Sequence, residues 1–436
     1  VSLAATQFPR LLANLPVRDA MSMSAHEALH GPLAAPPRTR SGQRRSGNPL
    51  IAELERAGLR GHGGAGFPTA TKINAVAAQG SRPVVVVNAT EGEPLSEKDS
   101  LLMRRLPQLV LDGALAAASL LRSDRLVIAL DEQAGDAAEA TRQALAERPE
   151  LMSRRGERPG VTVALLPGGY LTGQETALVS AIDGGPAKPR ATPPYPFERG
   201  SRGRPTLVSN AETFAQIGLI ARYGAEWFRA LGTATAPGTR LVSVTGAVSH
   251  PGVVEMAGGT SLRGLLAASG GLTEPLRGVL LGGYAGTWLA PEEIGVVLDD
   301  PALRDRGLRL GAGIVFALPE SACVVAEVAH VTRWLWEQSA GQCGPCLHGL
   351  GSITHALESL CVAGDRLNAY RNIERWCGLV TGRGACALPD GAASFVTSAL
   401  RVFRPAFDDH ARHGACSACA TERWLPTQKQ RALTYA

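Results

Sequence analysis

The apolar positions change period along the chain, and the changes mark out elements. Residues 83–89, "PVVVVNA", place four valines in a row after a proline, a β-branched run that predicts a strand buried on both faces of a parallel sheet. "RLVIAL" at 125–130 and "VTVALLP" at 161–167 read the same way. Between them, "SLLMRRLPQLVLDGALAAASLLR" keeps helical spacing and predicts a long helix. Upstream, "NPLIAELERAGLRG" sets Leu50, Ile51, Leu54 and Leu59 at helical intervals, with Pro49 suited to a first turn. Strands alternating with helices from 49 to about 230 predict an α/β sandwich, with its ligand crevice at the carboxyl ends of the strands.

From Thr239 to about Val315 the strands shorten: "TRLVSVTGAV", "GVVEMA", the small helix "SLRGLLAASGG", then "RGVLLGGYAGTWL". Short strands around one helix, punctuated by glycine pairs, predict a compact α+β module of ubiquitin-like type. From about 330 to 410 the period is helical, as in "AEVAHVTRWLWEQSA", and predicts a small bundle. Residues 1–48 end in "PPRTRSGQRRSG" and read as an exposed arm, while the polar, basic tail after Cys419 is expected to lack order. The division expected is an arm (1–48), an α/β domain (49–235), a β-grasp domain (236–325), a helical domain (326–412) and a tail (413–436).

Composition narrows the function classes. The formal charge of +5 comes from 44 basic and 39 acidic side chains that are interspersed, which gives no reason to expect nucleic acid. The most apolar stretch, "LVLDGALAAASLL", is short for a membrane span and carries Asp112, and the start lacks the pattern of a secretory signal, so a cytoplasmic location is expected. Of the eight cysteines, seven lie between 343 and 419 and Cys323 stands just upstream, a clustering that points to a metal or cluster site rather than to disulfides.

Four stretches carry candidate chemistry in the α/β region. "GLRGHGGAGFPTATK" contains Gly-x-Gly-x-x-Gly at Gly61, Gly63 and Gly66, with Gly64 between, but a helix and not a strand runs into it, which excludes a Rossmann fingerprint. Gly168, Gly169 and Gly173 precede a helix expected near Gln174, an arrangement that suits phosphate. The first valine strand ends in "NATEGEPLSEKDS", placing Asn88, Thr90, Glu91 and Glu93 in the crevice. "GRPTLVSNAETFA" adds Asn210 and Thr213 in what reads as a polar loop before a helix.

Taken in order, "GLRGHGGAGFPTATK", "VVNATEGEPLSEKDSLLM", "GGYLTGQETALVSAIDGGPAKPR" and "GRPTLVSNAETF" resemble the NADH-binding flavoprotein (51 kDa) subunit family of respiratory complex I, shared with diaphorase subunits of NAD-linked hydrogenases and formate dehydrogenases. The resemblance runs from about 48 to 410. It implies a Rossmann-like α/β sandwich flavin domain, a β-grasp SLBB domain and a helical iron–sulfur domain. It also implies FMN along Gly61, Gly63, Gly64 and Gly66, with Lys72 near the flavin phosphate or ring. Asn88, Glu91, Asn210 and Thr213 would complete the flavin site, and Gly173 belongs to its second glycine turn. Phe67 and Tyr195 would stack on the adenine of NADH; Glu93, Tyr170 and Glu175 would lie near its nicotinamide and ribose. The hydride passes between cofactors, so no side chain need be a general acid or base, and Glu93 and Glu175 are expected only to align them. Electrons would go singly through a cluster to a ferredoxin-like or thioredoxin-like iron–sulfur subunit or a larger redox or membrane complex, partners through which the chain could sit peripherally on the inner face of the membrane.

The chain departs from that family at named positions. Thr90 and Gln174 stand where the family has acids, and Ala75 where it has an aromatic. The cluster signature Cys-x-x-Cys-x-x-Cys plus one distant Cys is met by Cys343, Cys346 and Cys386, but its first position is Ala340. A 4Fe-4S cluster there requires a substitute ligand such as Ser339, another cysteine or solvent; a three-iron form is an alternative, as is an FMN reductase without a cluster or a non-catalytic docking subunit. Cys416-x-x-Cys419 could bind a metal, act as a redox pair, supply the missing ligand, or be inert. Cys323, Cys361 and Cys377 read as core residues.

Overall fold

The computed structural model describes residues 7–33, 48–80, 82–148, 160–362 and 364–429. The stretch at 36–47 lies outside them. The chain divides into two compact units: Val1–Gly92 with Glu97–Leu241 and Glu255–Gly259, and Glu93–Ser96 with Val242–Val254 and Thr260–Ala436.

In the first unit, helix α1 (Met23–His30) precedes α2 (Pro49–Ala57) and α3 (Thr69–Ala77), then come β1 (Val84–Ala89), α4 (Lys98–Arg105), α5 (Pro107–Leu121), β2 (Arg125–Asp131), α6 (Gly135–Ala146), β3 (Gly160–Leu166), α7 (Glu175–Ile182), the one-turn α8 (Pro196–Arg199), β4 (Thr206–Asn210) and α9 (Ala211–Arg229). The four strands form a parallel sheet in the order β3-β2-β1-β4. All four valines of β1 are fully buried, as the run of β-branched residues predicts; Val84 and Val86 join Val127, Val208 and, from α7, Leu178 and Val179 in one cluster. α5 lies so close to α9 that a Cβ on Gly113 would stand 1.7 Å from the Phe214 carbonyl oxygen, an approach only glycine allows.

Three expectations change here. The long helix over 100–122 is two helices, because Pro107 has no N–H to continue α4 and Leu106 takes φ −130°. "GRPTLVSN" is not a loop: 206–210 add the fourth strand, and only Asn210 is polar-loop-like, as the cap of α9. Part of the N-terminal arm is core, since Arg10, Leu11 and His26 are buried and His26 Nε2 lies 2.7 Å from Asp112.

Five further strands, β5 (Thr239–Gly246), β6 (Gly252–Ala257), β7 (Leu276–Leu281), β8 (Thr287–Leu289) and β9 (Ile314–Pro319), form a mixed sheet ordered β6-β5-β9-β7-β8, accompanied by α10 (Leu262–Ala268) and α11 (Asp300–Asp305). β5 runs parallel to β9, and β7 antiparallel to both of its neighbours. There follow α12 (Val324–Glu337), a π-helical turn at Pro345–Leu350, α13 (Gly351–Ser359), α14 (Arg366–Val380), α15 (Leu388–Val402) and α16 (Arg404–His413). The described part of the tail packs within the second unit, contrary to its polar composition: Leu425 is fully buried, and the Trp424 and Leu425 amides each donate to Glu327 at 3.0 Å. Among the described residues no helix is long and apolar enough to cross a membrane.

Candidate flavin site and cysteine groups

The glycine loop is reached from α2, which ends at Gly58 in the left-handed conformation, and it is folded on itself by Gly61 N–H donating to Phe67 O (2.8 Å) and Arg60 Nε to Gly66 O (2.8 Å). It rests on the start of α9. The His62 N–H donates to Thr213 Oγ1 at 3.0 Å, and a Cβ on Gly63 would come within 3.3 Å of Asn210 Cβ. Gly64 takes φ +113° and its missing side chain would point into open space, so bare backbone is presented there. A flat ring system with a phosphate fits such a cradle.

At the carboxyl end of β1, Asn88 Nδ2 donates to Gly173 O (2.9 Å) while Asn88 Oδ1 accepts from Thr90 N (3.2 Å) and Thr90 Oγ1 (2.7 Å). A carboxylate in place of Thr90 would face that same Asn88 oxygen, so the hydroxyl is what the geometry accommodates. Gly92 packs on the Gly169–Tyr170 backbone so closely that a Cβ would sit 2.2 Å from Gly169 O. The second glycine turn then leads into α7, whose first amides are capped by Gln174 Oε1, which accepts from Thr176 N and Ala177 N at 2.9 Å each. Lys72 Nζ and Glu175 Oε1 form a partly exposed pair at 3.1 Å. Phe67 and Tyr195 are about half exposed, Tyr195 stacks on Phe197 at 5.7 Å, and α8, which Tyr195 precedes, packs on α3.

Beneath the loop lies a charged group that sequence reasoning missed. Lys98, almost fully buried, reaches Asp99 Oδ2 and Glu212 Oε2 at 3.0 Å each and donates to Asn210 Oδ1 at 2.9 Å. Burial works against its ammonium, but Asp99, Glu212 and Glu91 outweigh that and raise its pKa. Burial, opposed by Lys98, pushes the Asp99 carboxyl up to about 6. Glu212 is held below its usual range despite burial, by His62, whose Nδ1 lies 3.3 Å away, and by Lys98 and Arg240. Glu91 caps α4, accepting from Asp99 N (3.1 Å) and Ser100 N (3.0 Å), so it braces this group. A lysine inside "SEKDS" reads as a solvated helix start, and only the fold reveals its burial.

Glu93 falls in the second unit, where its carboxylate accepts the Tyr284 N–H at 2.6 Å. Burial pushes it up to about 8, opposed by that hydrogen bond and by Lys429.

Cys343, Cys346 and Cys386 come together: burial and the neighbouring Cys343 and Cys386 push the Cys346 thiol up to about 12, and Cys343 also acts on Cys386. The donor set fits three corners of an iron–sulfur cluster, with Ala340 unable to ligate the fourth. Cys416 and Cys419 gather with Cys323 and His410, the four ligand atoms lying within 4.8 Å of one another. Cys323 is thus not merely core, and Cys361, 3.8 Å from Cys419, also borders that group, whereas Cys377 is fully buried as expected.

The chain matches the family described as Nuo51 FMN-binding domain over residues 54–219, the SLBB domain over 241–282, and the NADH-ubiquinone oxidoreductase-F iron-sulfur binding region over 326–410. It is 30% identical over 418 residues to the second F-type NADH-quinone oxidoreductase subunit of Rhizobium meliloti (strain 1021), covering 94% of this chain and 99% of that one. It is 33% identical to the mitochondrial NADH dehydrogenase [ubiquinone] flavoprotein 1 of Dictyostelium discoideum, over 83% of this chain and 78% of that one. A solved NAD+-reducing NiFe hydrogenase in the H2-reduced state superposes with TM-score 0.76 and 28% identity, over 94% of this chain and 70% of that one.

Proposed function

Because the chain belongs to the F-type family of NADH-quinone oxidoreductase subunits, FMN-dependent NADH oxidoreductases with an iron–sulfur binding region, we propose that it draws a hydride from NADH and delivers electrons singly to a partner iron–sulfur subunit. FMN, when bound, supplies the hydride acceptor and the conversion from two-electron to one-electron transfer. The observation that carries this reading is the convergence of the glycine loop, the Gly169–Gly173 turn and the Asn210 cap at the carboxyl ends of β1 and β4.

In this reading Gly61, Gly63, Gly64 and Gly66 present backbone to the flavin, with Gly173, Asn88, Asn210 and Thr213 fixing the walls. Glu91 acts through α4 and Lys98. Lys72 meets flavin phosphate or ring as a fixed positive charge and is released from Glu175 to do so. Phe67 and Tyr195 offer exposed rings to the adenine. Tyr170 and Glu175 orient the nicotinamide end, a role the family resemblance also gives to Glu93. Cys343, Cys346 and Cys386 hold the cluster, with a fourth ligand from outside the family's signature or a three-iron form. The five-part division of the chain goes with these roles. The chain works on the cytoplasmic side, reaching any membrane through partners in a larger redox complex, with a ferredoxin-like or thioredoxin-like subunit as the immediate acceptor.

Ala340 favours a second reading, an FMN reductase without a cluster. Anaerobically purified protein separates the two. FMN fluorescence on release, NADH-dependent ferricyanide reduction and an iron–sulfur EPR signal abolished by Cys343→Ser are expected. Activity without iron would establish the second reading, and absence of both FMN and turnover would refute both.

A further inference from the structure

Four ligand atoms from distant parts of the second unit meet at one point. Cys323 caps the start of α12, His410 lies on α16, and Cys416 and Cys419 bracket the short turn after it. Cys323 Sγ is 3.4 Å from His410 Nε2 and 3.4 Å from Cys419 Sγ; His410 Nε2 is 3.4 Å from Cys419 Sγ, and Cys416 Sγ is 3.8 Å from Cys419 Sγ. All four atoms lie within 4.8 Å of one another. We propose that Cys323, His410, Cys416 and Cys419 form a tetrahedral structural zinc site, separate from the Cys343–Cys346–Cys386 group.

The spacing argues for one metal ion. With Zn–S of about 2.3 Å and Zn–N of about 2.05 Å, tetrahedral angles put sulfur atoms about 3.8 Å apart and sulfur and nitrogen about 3.5–3.6 Å apart. The observed separations match those edges closely. Thiolates holding the corners of a cubane stand much further apart, because a different iron lies behind each sulfur. The imidazole is set for ligation: His410 Nδ1 lies 2.8 Å from the Ala406 carbonyl oxygen, which takes the Nδ1 proton and leaves the Nε2 lone pair facing the three thiols. Cys-x-x-Cys with the Cys419 N–H on the Cys416 carbonyl (3.0 Å) is the short knuckle found in Cys₃His zinc sites. Cys323 and His410 are buried, so two ligands sit inside the unit and close the site.

Such a site explains why a polar tail is ordered. The ion fastens 416–419 to α12 and α16, and the following residues then dock Leu425 over Glu327 and bring Lys429 Nζ to 3.3 Å from the Ser96 carbonyl. Metal binding therefore acts as tail binding.

The test is metal analysis of the full chain purified under reductant. Wild type should hold roughly one zinc per chain, and Cys419→Ser or His410→Ala should lower it at least about 10-fold. Cys343→Ser should lose iron and keep zinc, and Cys361→Ser should keep zinc. Should the first pair of variants fail to fold, wild type reconstituted with Co²⁺ should show the intense visible bands of a tetrahedral thiolate site. Limited proteolysis after Arg423 should accelerate on zinc removal. The proposal is overturned by a Cys416–Cys419 or Cys323–Cys419 disulfide with no zinc, by loss of iron in Cys419→Ser, by an octahedral cobalt spectrum, or by zinc retained in His410→Ala but lost in Cys361→Ser.

Discussion

Replacing Lys98 with methionine removes the cation between two buried carboxylates while keeping most of the side-chain volume. Lys98 contacts Asp99 and Glu212 at 3.0 Å and Asn210 Oδ1 at 2.9 Å, and Lys98, Asp99 and Glu212 are each less than a tenth exposed. Breaking a buried ion pair by deleting one partner costs about 3–5 kcal/mol, because the remaining charges have no water to turn to. The second effect is on the cofactor. Asn210 and Thr213 seat the glycine loop through Gly63 and His62, so losing one charge-assisted hydrogen bond of about 1.5–3 kcal/mol from that seat should weaken FMN binding about 10-fold to 100-fold. The loss should also depend on pH. Asp99 is already pushed up to about 6 with Lys98 present, and without it the folded pKa rises further above the unfolded value near 4. A group whose folded pKa is raised stabilises the fold below the unfolded value and loses that contribution as pH rises through the folded one. The deficit of Lys98→Met should therefore grow from pH 5 to pH 8, and Lys98→Met/Asp99→Asn should recover part of it. Urea titration of the FMN-free protein and fluorescence titration with FMN measure the two effects. A deficit below about 1 kcal/mol at pH 8, with unchanged FMN affinity, would refute the reasoning, since it would mean the carboxylates are solvated or already protonated.

Lys72→Met removes a partly exposed ion pair worth under about 1 kcal/mol, so thermal stability should barely change while FMN affinity falls about 10-fold or more; equal losses in both would contradict a cofactor role. Asp112 is buried between His26, Arg148 and Arg222, which hold its carboxyl well below the usual range although burial opposes them. Its stabilisation is present above the unfolded pKa and is lost only as pH falls through the folded one, so Asp112→Ala should cost about 3–5 kcal/mol at pH 7 and less in strong acid, read by urea titration. Glu93, pushed up to about 8, is protonated at neutral pH, so stability should decline between about pH 4.5 and 8 from this group; Glu93→Gln, which keeps an acceptor for Tyr284 N–H, should flatten that decline in a thermal-shift series.

The chain's local patterns determined many of the elements and the glycine turns by themselves. The four-valine run fits a buried strand, helical spacing behind Pro49 fits a helix opening there, and glycine turns after α2 and before α7 are written in residue type, because backbone freedom is a property of single residues. Where pattern and packing compete, the one-dimensional reading failed: Pro107 broke an apolar run, and "TLVSN" became the edge strand because β1 needed a partner on that side. Tertiary structure alone decided what depends on distance between remote residues. Burial turned Lys98 from an ordinary surface lysine into the centre of a charged group. Packing also drew Cys323 and Cys419, some 96 positions apart, to 3.4 Å, which no spacing rule could foresee because their meeting is set by how α12, α16 and the tail fold together. Ala340 shows the reverse: a single residue type, read directly from sequence, leaves that position without a ligand atom whatever packs around it.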